Sequence, residues 1–228
     1  MEILQNGYQL DIPTGSFPLS TDSMLLGDFV RLPKNATVCD LGAGCGTLGL
    51  LLCAKDPSCT VTGVEIDLAS HEAALRNIER NSLAHRMKSI HADLRCDCGN
   101  TYHICVSNPP YYTGGPASQT HATARRDDLC STEELMQSAS RCIRFGGDFY
   151  LVHKPEKLAH LCALGGKYQL EAKHLRLIRH RENGPITLIL LQLRKGGKPG
   201  LVMDEKCLFL ADGNPSPYYQ SVYHQQEV

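Results

Sequence analysis

Thr37-Val38-Cys39-Asp40-Leu41-Gly42-Ala43-Gly44-Cys45-Gly46 is a short apolar run that breaks into alternating glycines. That pattern marks the turn from a buried parallel strand into a helix, because glycines let the backbone pass tightly and hold N–H groups close to a ligand. It predicts a strand over Thr37–Leu41 and a helix over 47–54. Outward from it the alternation continues. Strands are expected at Thr60–Glu65, 89–92, 104–107 and 147–153. Helices are expected at 68–82, with Ala73, Ala74 and Ile78 on one face, at 132–144 and at 156–163. The segment Ser131-Thr132-Glu133-Glu134 reads as a helix start close to a capping box. Leu170–Arg181 and 186–193, joined through Asn183-Gly184-Pro185, read as an antiparallel hairpin at the end of the sheet. Residues 1–20 suggest a small N-terminal hairpin, and 25–32 a helix ending before Pro33. Strands alternating with helices imply an α/β fold with a mostly parallel sheet covered on both faces. The tail from Asn214 onward is expected to be only partly ordered.

Composition bounds the rest. With 228 residues, 42% hydrophobic and 21% charged, the chain suits one medium globular domain. No apolar run approaches a membrane span, and the N-terminus has neither the cationic start nor the apolar core of a signal peptide, so a cytoplasmic location is expected. The 11 cysteines lie mostly in apolar segments and read as small core residues of a reducing compartment. Cys96-Asp97-Cys98, near His91 and His103, has a one-residue gap that is not a usual zinc spacing, and no metal is expected. Net charge is −1, so the whole molecule has no field to draw nucleic acid. Lys167, Lys173, Arg176, Arg179, Arg181, Arg194, Lys195 and Lys198 nonetheless gather against only Glu171 and Glu182. That cluster suits either phosphate contacts or a solvated strand face.

The glycine loop leaves two ligand classes open. Gly44, Gly46 and Gly49 satisfy a dinucleotide fingerprint. Asp40 opposes it, because a pyrophosphate at the mouth of the loop would meet like charge. A ligand with a cationic amino group and no phosphate, such as S-adenosyl-L-methionine, suits an acid there. Glu65 ends the second strand, where nucleotide folds hold ribose hydroxyls, while Asp67 reads as a helix cap. Asp93 follows the third strand, placed to accept from an adenine amine.

Asn108-Pro109-Pro110-Tyr111 then closes the fourth strand. The Asn108 side-chain oxygen and the Pro109 carbonyl are acceptors that can hold both N–H groups of an exocyclic amine. Proline donates nothing, which biases the corner toward accepting. Tyr111 offers a face on which a flipped base can stack. A plain Pro-Pro turn is the alternative.

In that order of motifs the chain resembles class I S-adenosyl-L-methionine-dependent methyltransferases that carry an NPPY amine-methylating motif. Within them it is similar to the bacterial tRNA1(Val) adenine-37 N6-methyltransferase family. The added likeness lies in Phe17-Pro18-Leu19-Ser20-Thr21-Asp22-Ser23-Met24, in Ala124-Arg125-Arg126 and in Lys195-Gly196-Gly197. The resemblance implies a Rossmann-like, mostly parallel seven-stranded sheet. It implies an N-terminal hairpin and helix at 1–32 over the cofactor site, followed by a methyltransferase domain at 33–228. It places Thr21, Asp22, Asp40, Gly42, Gly44, Gly46, Glu65, Ile66, Asp93, Leu94 and Asn108 at the cofactor. Asn108, Pro109, Pro110 and Tyr111 are assigned to catalysis. Tyr111, Arg125, Lys173, Arg176 and Arg179 are assigned to an RNA substrate, tRNA or another structured RNA, bound by a monomer. Methylation of an rRNA base or a protein glutamine, or a degenerate fold that only binds, stand as alternatives. Only 39 residues precede Asp40, which leaves little room for the substrate domain expected of release-factor glutamine methyltransferases.

Overall fold

The computed structural model describes residues 2–4, 7–13, 19–96, 101–110 and 130–223. A two-stranded hairpin, β1 (Glu2–Ile3) and β2 (Gln9–Leu10), precedes an eight-stranded sheet. At its centre β3 (Thr37–Leu41) is flanked by β4 (Thr60–Glu65) and then β5 (Met87–His91). On the other side follow β6 (Tyr102–Ser107), β7 (Ile143–His153), β9 (Ile186–Lys195), β8 (Leu170–Arg181) and β10 (Val202–Phe209). Every neighbouring pair is parallel except those made by β9, which is antiparallel to both β7 and β8.

Both faces of the central strands are dry. Val38 joins one core with Leu25, Leu26, Leu50, Leu52 and Ile78, contributed by α1 (Thr21–Phe29), α2 (Thr47–Lys55) and α3 (Leu68–Arg80). Cys39 and Leu41 join the opposite core with Met136 of α4 (Thr132–Cys142), Leu161 of α5 (Leu158–Lys167), Phe149 and Ile189. Each buried Leu or Ile stabilises the fold by about 1.5–3 kcal/mol. This double burial is why the strands read as continuous apolar runs. The Ser131–Glu134 capping box forms as read, with each residue's side chain accepting from the other's backbone N–H.

Two readings need correction. The sheet has eight strands, not seven. Val202-Met203-Asp204-Glu205-Lys206 puts three charges in a row, which hides an edge strand from any apolar pattern. Those charges are what hold it: Asp204 lies opposite Arg176 in the β8–β10 register, and its carboxylate takes two guanidinium bonds of 2.8 Å each. Helix α1 starts at Thr21 rather than residue 25, because Ser20 is its N-cap and its Oγ accepts from the Ser23 N–H. At the other end Lys55 Nζ donates to the carbonyls of Gly27, Asp28 and Val30, closing the helix with a cation. The tail carries a further helix, α6 (Pro217–Tyr223), whose Val222 is buried in the first core.

The hairpin is fastened to α3 by two asparagines that imitate a neighbouring strand. Asn77, fully buried, accepts from Asp11 N at 2.8 Å and donates to the carbonyls of Asp11 and Cys45 at 2.9 Å each. Asn81 makes the equivalent pair of bonds with Gln9, each 2.8 Å. The Cys45 carbonyl belongs to the glycine loop, so one side chain ties hairpin, helix and loop together. Asn77→Leu removes these bonds and leaves buried backbone groups without partners. A loss of about 2–4 kcal/mol in unfolding free energy is expected, read from urea titration. An unchanged midpoint would contradict this role.

Candidate active site

The carboxyl ends of β3, β4, β5 and β6 meet along one edge of the sheet, the usual place for a ligand crevice in open α/β folds. The glycine loop bends there by three left-handed residues, Gly42, Gly44 and Gly46, at φ 74°, 55° and 86°. Side chains other than glycine would be strained at all three. Gly49 serves packing instead, since a Cβ there would run into the Met87 side chain.

Glu65 holds the loop from below. It is 8% exposed, and its Oε2 accepts from Gly44 N at 2.7 Å while Oε1 accepts from Asp67 N at 2.8 Å. Asp67 caps α3, accepting from Ser70 N at 2.9 Å, as its position before the helix suggested. A small cleft opens beside these residues, lined by Gly42, Val64, Glu65, Ile66, Ala92, Asp93, Leu94 and Cys130. Five of the eight are expected site residues. Cys130 was missed, since nothing in the sequence marks a cysteine just before a helix as lining.

Asp93 is not a bare acceptor. Arg95 forks its carboxylate and also reaches Glu134, and these hydrogen bonds hold the Asp93 carboxyl below the usual range. Asp40 departs further from expectation. It does not stand at the mouth of the loop but is 1% exposed beneath it, and neither carboxyl oxygen has a hydrogen bond of ordinary geometry. Burial, and then the charge of Glu65, push its pKa up to about 7, which the nearby Gly49 N–H only partly offsets. A buried acid with no hydrogen bond of ordinary geometry among the described residues, set beside a glycine loop, is suited to a cationic group brought in with a ligand.

Asn108 closes β6 and faces α1. Its Nδ2 donates to Ser23 Oγ at 2.9 Å and reaches Ser20 Oγ at 3.5 Å. The residue before it, Ser107, is buried and donates to the Leu41 carbonyl at 2.8 Å, locking the strand end against β3. Pro109 is half-buried and Pro110 exposed. Thr21 lies beside the Tyr223 hydroxyl of α6, and Asp22 is partly buried in the first turn of α1. Tyr111 and Arg125 lie outside the described residues.

Lys173, Arg176 and Arg179, the residues assigned to RNA, are each engaged within the fold. Arg176 is forked by Asp204, lies 3.5 Å from Asp28 and packs against the rings of Phe29 and Tyr218. Arg179 pairs with Glu205 at 2.6 Å, and Lys173 donates to the Lys198 carbonyl. Arg194 pairs with Asp148, and Lys195 Nζ donates to the Ser140 and Ile143 carbonyls at the end of α4. This basic stretch builds the fold. The sequence could not reveal these pairings, because the acidic partners stand 26–148 residues away.

Residues 20–162 match the methyltransferase small domain family. The chain belongs to that family. The dinucleotide alternative is thereby set aside: this is an S-adenosyl-L-methionine-dependent methyltransferase. The methyltransferase is 28% identical over 183 residues to the tRNA1(Val) (adenine(37)-N6)-methyltransferase of Photobacterium profundum, a match that covers 77% of this chain and 76% of that one. It is 30% identical over 196 residues to the enzyme so named in Shewanella sp. strain MR-7, covering 82% of each. Among solved structures, an Agrobacterium tumefaciens protein described as a predicted O-methyltransferase superposes with a TM-score of 0.74. That pair is 21% identical and aligned over 90% of this chain and 96% of the other, a likeness of fold. The T. thermophilus 16S rRNA N2 G1207 methyltransferase, solved with AdoMet and guanosine, gives a TM-score of 0.56 at 26% identity, over 78% of this chain and 44% of that larger one. Among the described residues, no helix is long and apolar enough to cross a membrane.

Proposed function

We propose that this methyltransferase modifies the N6 amine of an adenosine in tRNA, the position next to the anticodon of a valine tRNA. The observation that carries the reading is the amide of Asn108 at the carboxyl end of β6. Its nitrogen is taken up on the α1 side by Ser23, which makes Oδ1 the accepting end of the amide, and the next residue along the chain, Pro109, adds a carbonyl. Two acceptors in that corner match an amine with two N–H groups. The relatives named above support the choice of tRNA adenine.

When bound, S-adenosyl-L-methionine supplies a sulfonium methyl as electrophile. Glu65 is placed for the ribose hydroxyls, since a carboxylate oxygen that already accepts one N–H keeps a further lone pair. Asp93, kept ionised by Arg95, is placed for the adenine amine, with Ile66 and Leu94 against the ring. Gly42, Gly44 and Gly46 would admit the methionine portion, and Asp40 beneath them would offer its charge to the ammonium. Thr21 and Asp22 cover that end. Asn108 and Pro109 hold the target amine so that its lone pair points at the methyl carbon. As the N–C bond formed, the S–C bond would break, S-adenosylhomocysteine would leave, and the proton, acidic only after transfer, would pass to water, so no strong base is needed. In-line placement of this kind can contribute roughly 7–11 kcal/mol. Pro110 stiffens the elbow, Tyr111 stacks on the extruded base, and Arg125 holds a phosphate. Residues 1–32 act as a cover on the catalytic domain 33–228, and the enzyme works as a cytoplasmic monomer.

The test is transfer of tritiated methyl to tRNA, rRNA and protein from a strain lacking the gene, followed by nucleoside mass spectrometry. N6-methyladenosine in the tRNA fraction alone is expected. Label in rRNA as N2-methylguanosine would support instead the activity named for the T. thermophilus neighbour, and label in protein would refute an RNA substrate.

A further inference from the structure

We infer that Ser23, with Ser20 behind it, is the positioning residue that decides which end of the Asn108 amide meets the substrate. This rests on the role given to Asn108 above. A primary amide has an accepting end and a donating end, exchanged by a half-turn of its terminal torsion. Only one of the two orientations can hold an amine by its hydrogens. The other would set N–H against N–H and turn the lone pair away from the methyl carbon.

The fold contains a device for choosing. Ser20 Oγ, as the N-cap of α1, accepts the Ser23 backbone N–H at 3.3 Å, and the Ser23 hydroxyl lies 3.3 Å from the same oxygen. A hydroxyl has one proton. When Ser23 gives its proton to Ser20, Ser23 Oγ can act only as an acceptor, and it takes Nδ2–H of Asn108 at 2.9 Å. Turning the amide over would then bring two acceptor oxygens face to face. Ser23 is only 8% exposed, so water competes poorly for this bond. The hydroxyl is also rigidly carried. Two and three residues on, Leu25 and Leu26 are fully buried, and Phe29 of the same helix packs edge-on against Tyr150 of β7. The acceptor therefore reaches Asn108 from across 85 residues of chain, on a core-anchored helix rather than on a loop. It is Ser20 and Ser23, the serines on either side of Thr21 and Asp22, that make the contact.

The experiment compares the full-length protein with Ser23→Ala and Ser23→Thr, the latter keeping the oxygen. Three measurements are made: kcat and KM on tRNA, S-adenosyl-L-methionine affinity by calorimetry, and the Asn108 side-chain amide signals in an ¹⁵N spectrum. The alanine variant is expected to lose roughly tenfold in kcat, the size of one well-placed hydrogen bond. Its KM and cofactor affinity should stay within about twofold. Its Asn108 amide protons should exchange faster with water, and the threonine variant should recover most of both effects. Wild-type kcat together with unchanged amide exchange in Ser23→Ala would overturn the inference. So would an equal loss in both variants, or a loss confined to KM. Should the wild-type protein leave tRNA unmethylated, the substrate assignment falls, and the amide exchange still reports whether Ser23 holds Asn108.

Discussion

Asn108→Ala is expected to lose at least about 10³-fold in kcat while binding S-adenosyl-L-methionine within about threefold of wild type. The side chain supplies one of the two acceptors that orient the target amine, and removal of one preorganised polar group in an active site costs about 10²–10³-fold. Loss of in-line placement adds to that. Cofactor affinity is insulated because the cleft residues Gly42, Glu65, Ile66, Asp93 and Leu94 belong to the loops after β3, β4 and β5, one strand or more away. Single-turnover transfer together with calorimetry separates the two effects. A variant with near wild-type turnover would remove Asn108 from the mechanism. Equal losses in affinity and turnover would make it a cofactor ligand instead.

Asp40→Asn should have opposite consequences for folding and binding. In the folded, cofactor-free protein Asp40 titrates at about 7, against an ordinary value of 3.8. The folded state therefore holds a proton that the unfolded chain has released. Between those two values stability falls as pH rises, and above about 7 the full penalty, on the order of 4 kcal/mol, is present. Asparagine removes the charge but leaves a buried amide, itself costing about 1–3 kcal/mol. The variant should thus be more stable than wild type by about 1–3 kcal/mol at pH 7.5. Its stability should also depend less on pH between about 4 and 7. Cofactor binding runs the other way: an ammonium favours the ionised carboxylate, so wild-type affinity should weaken roughly tenfold per unit as pH falls below 7. Asp40→Asn should bind weakly at every pH. Urea titrations at several pH values, with calorimetry from pH 5.5 to 7.5, read both. A less stable variant with unchanged affinity would mean that Asp40 is a structural acid.

How much of this could be read in advance follows from which interactions are local in sequence. The glycine loop, the caps at Asp67 and Ser131 and the strand ends at Glu65 and Ser107 are set by neighbours a few residues away, and they stand where the pattern put them. The cleft lining was legible for the same reason, since consecutive strand ends of a parallel sheet lie side by side. What escaped depends on distant pairing. Asp204 and Glu205 are laid against Arg176 and Arg179 by an edge strand that has no apolar signature. Asp40 was placed at the mouth of the loop because sequence order gives the strand end but not the depth of a side chain. Asn77, Asn81 and Ser23 carry no motif, and their roles come from partners 32 to 85 residues away.

The most direct test of the central claim is a crystal structure with S-adenosylhomocysteine bound. It should show the ribose hydroxyls on Glu65, the ammonium group at Asp40 and the thioether sulfur facing the corner formed by Asn108 Oδ1 and the Pro109 carbonyl. A ligand bound outside the Gly42–Cys130 cleft, or a sulfur directed away from Asn108, would contradict it.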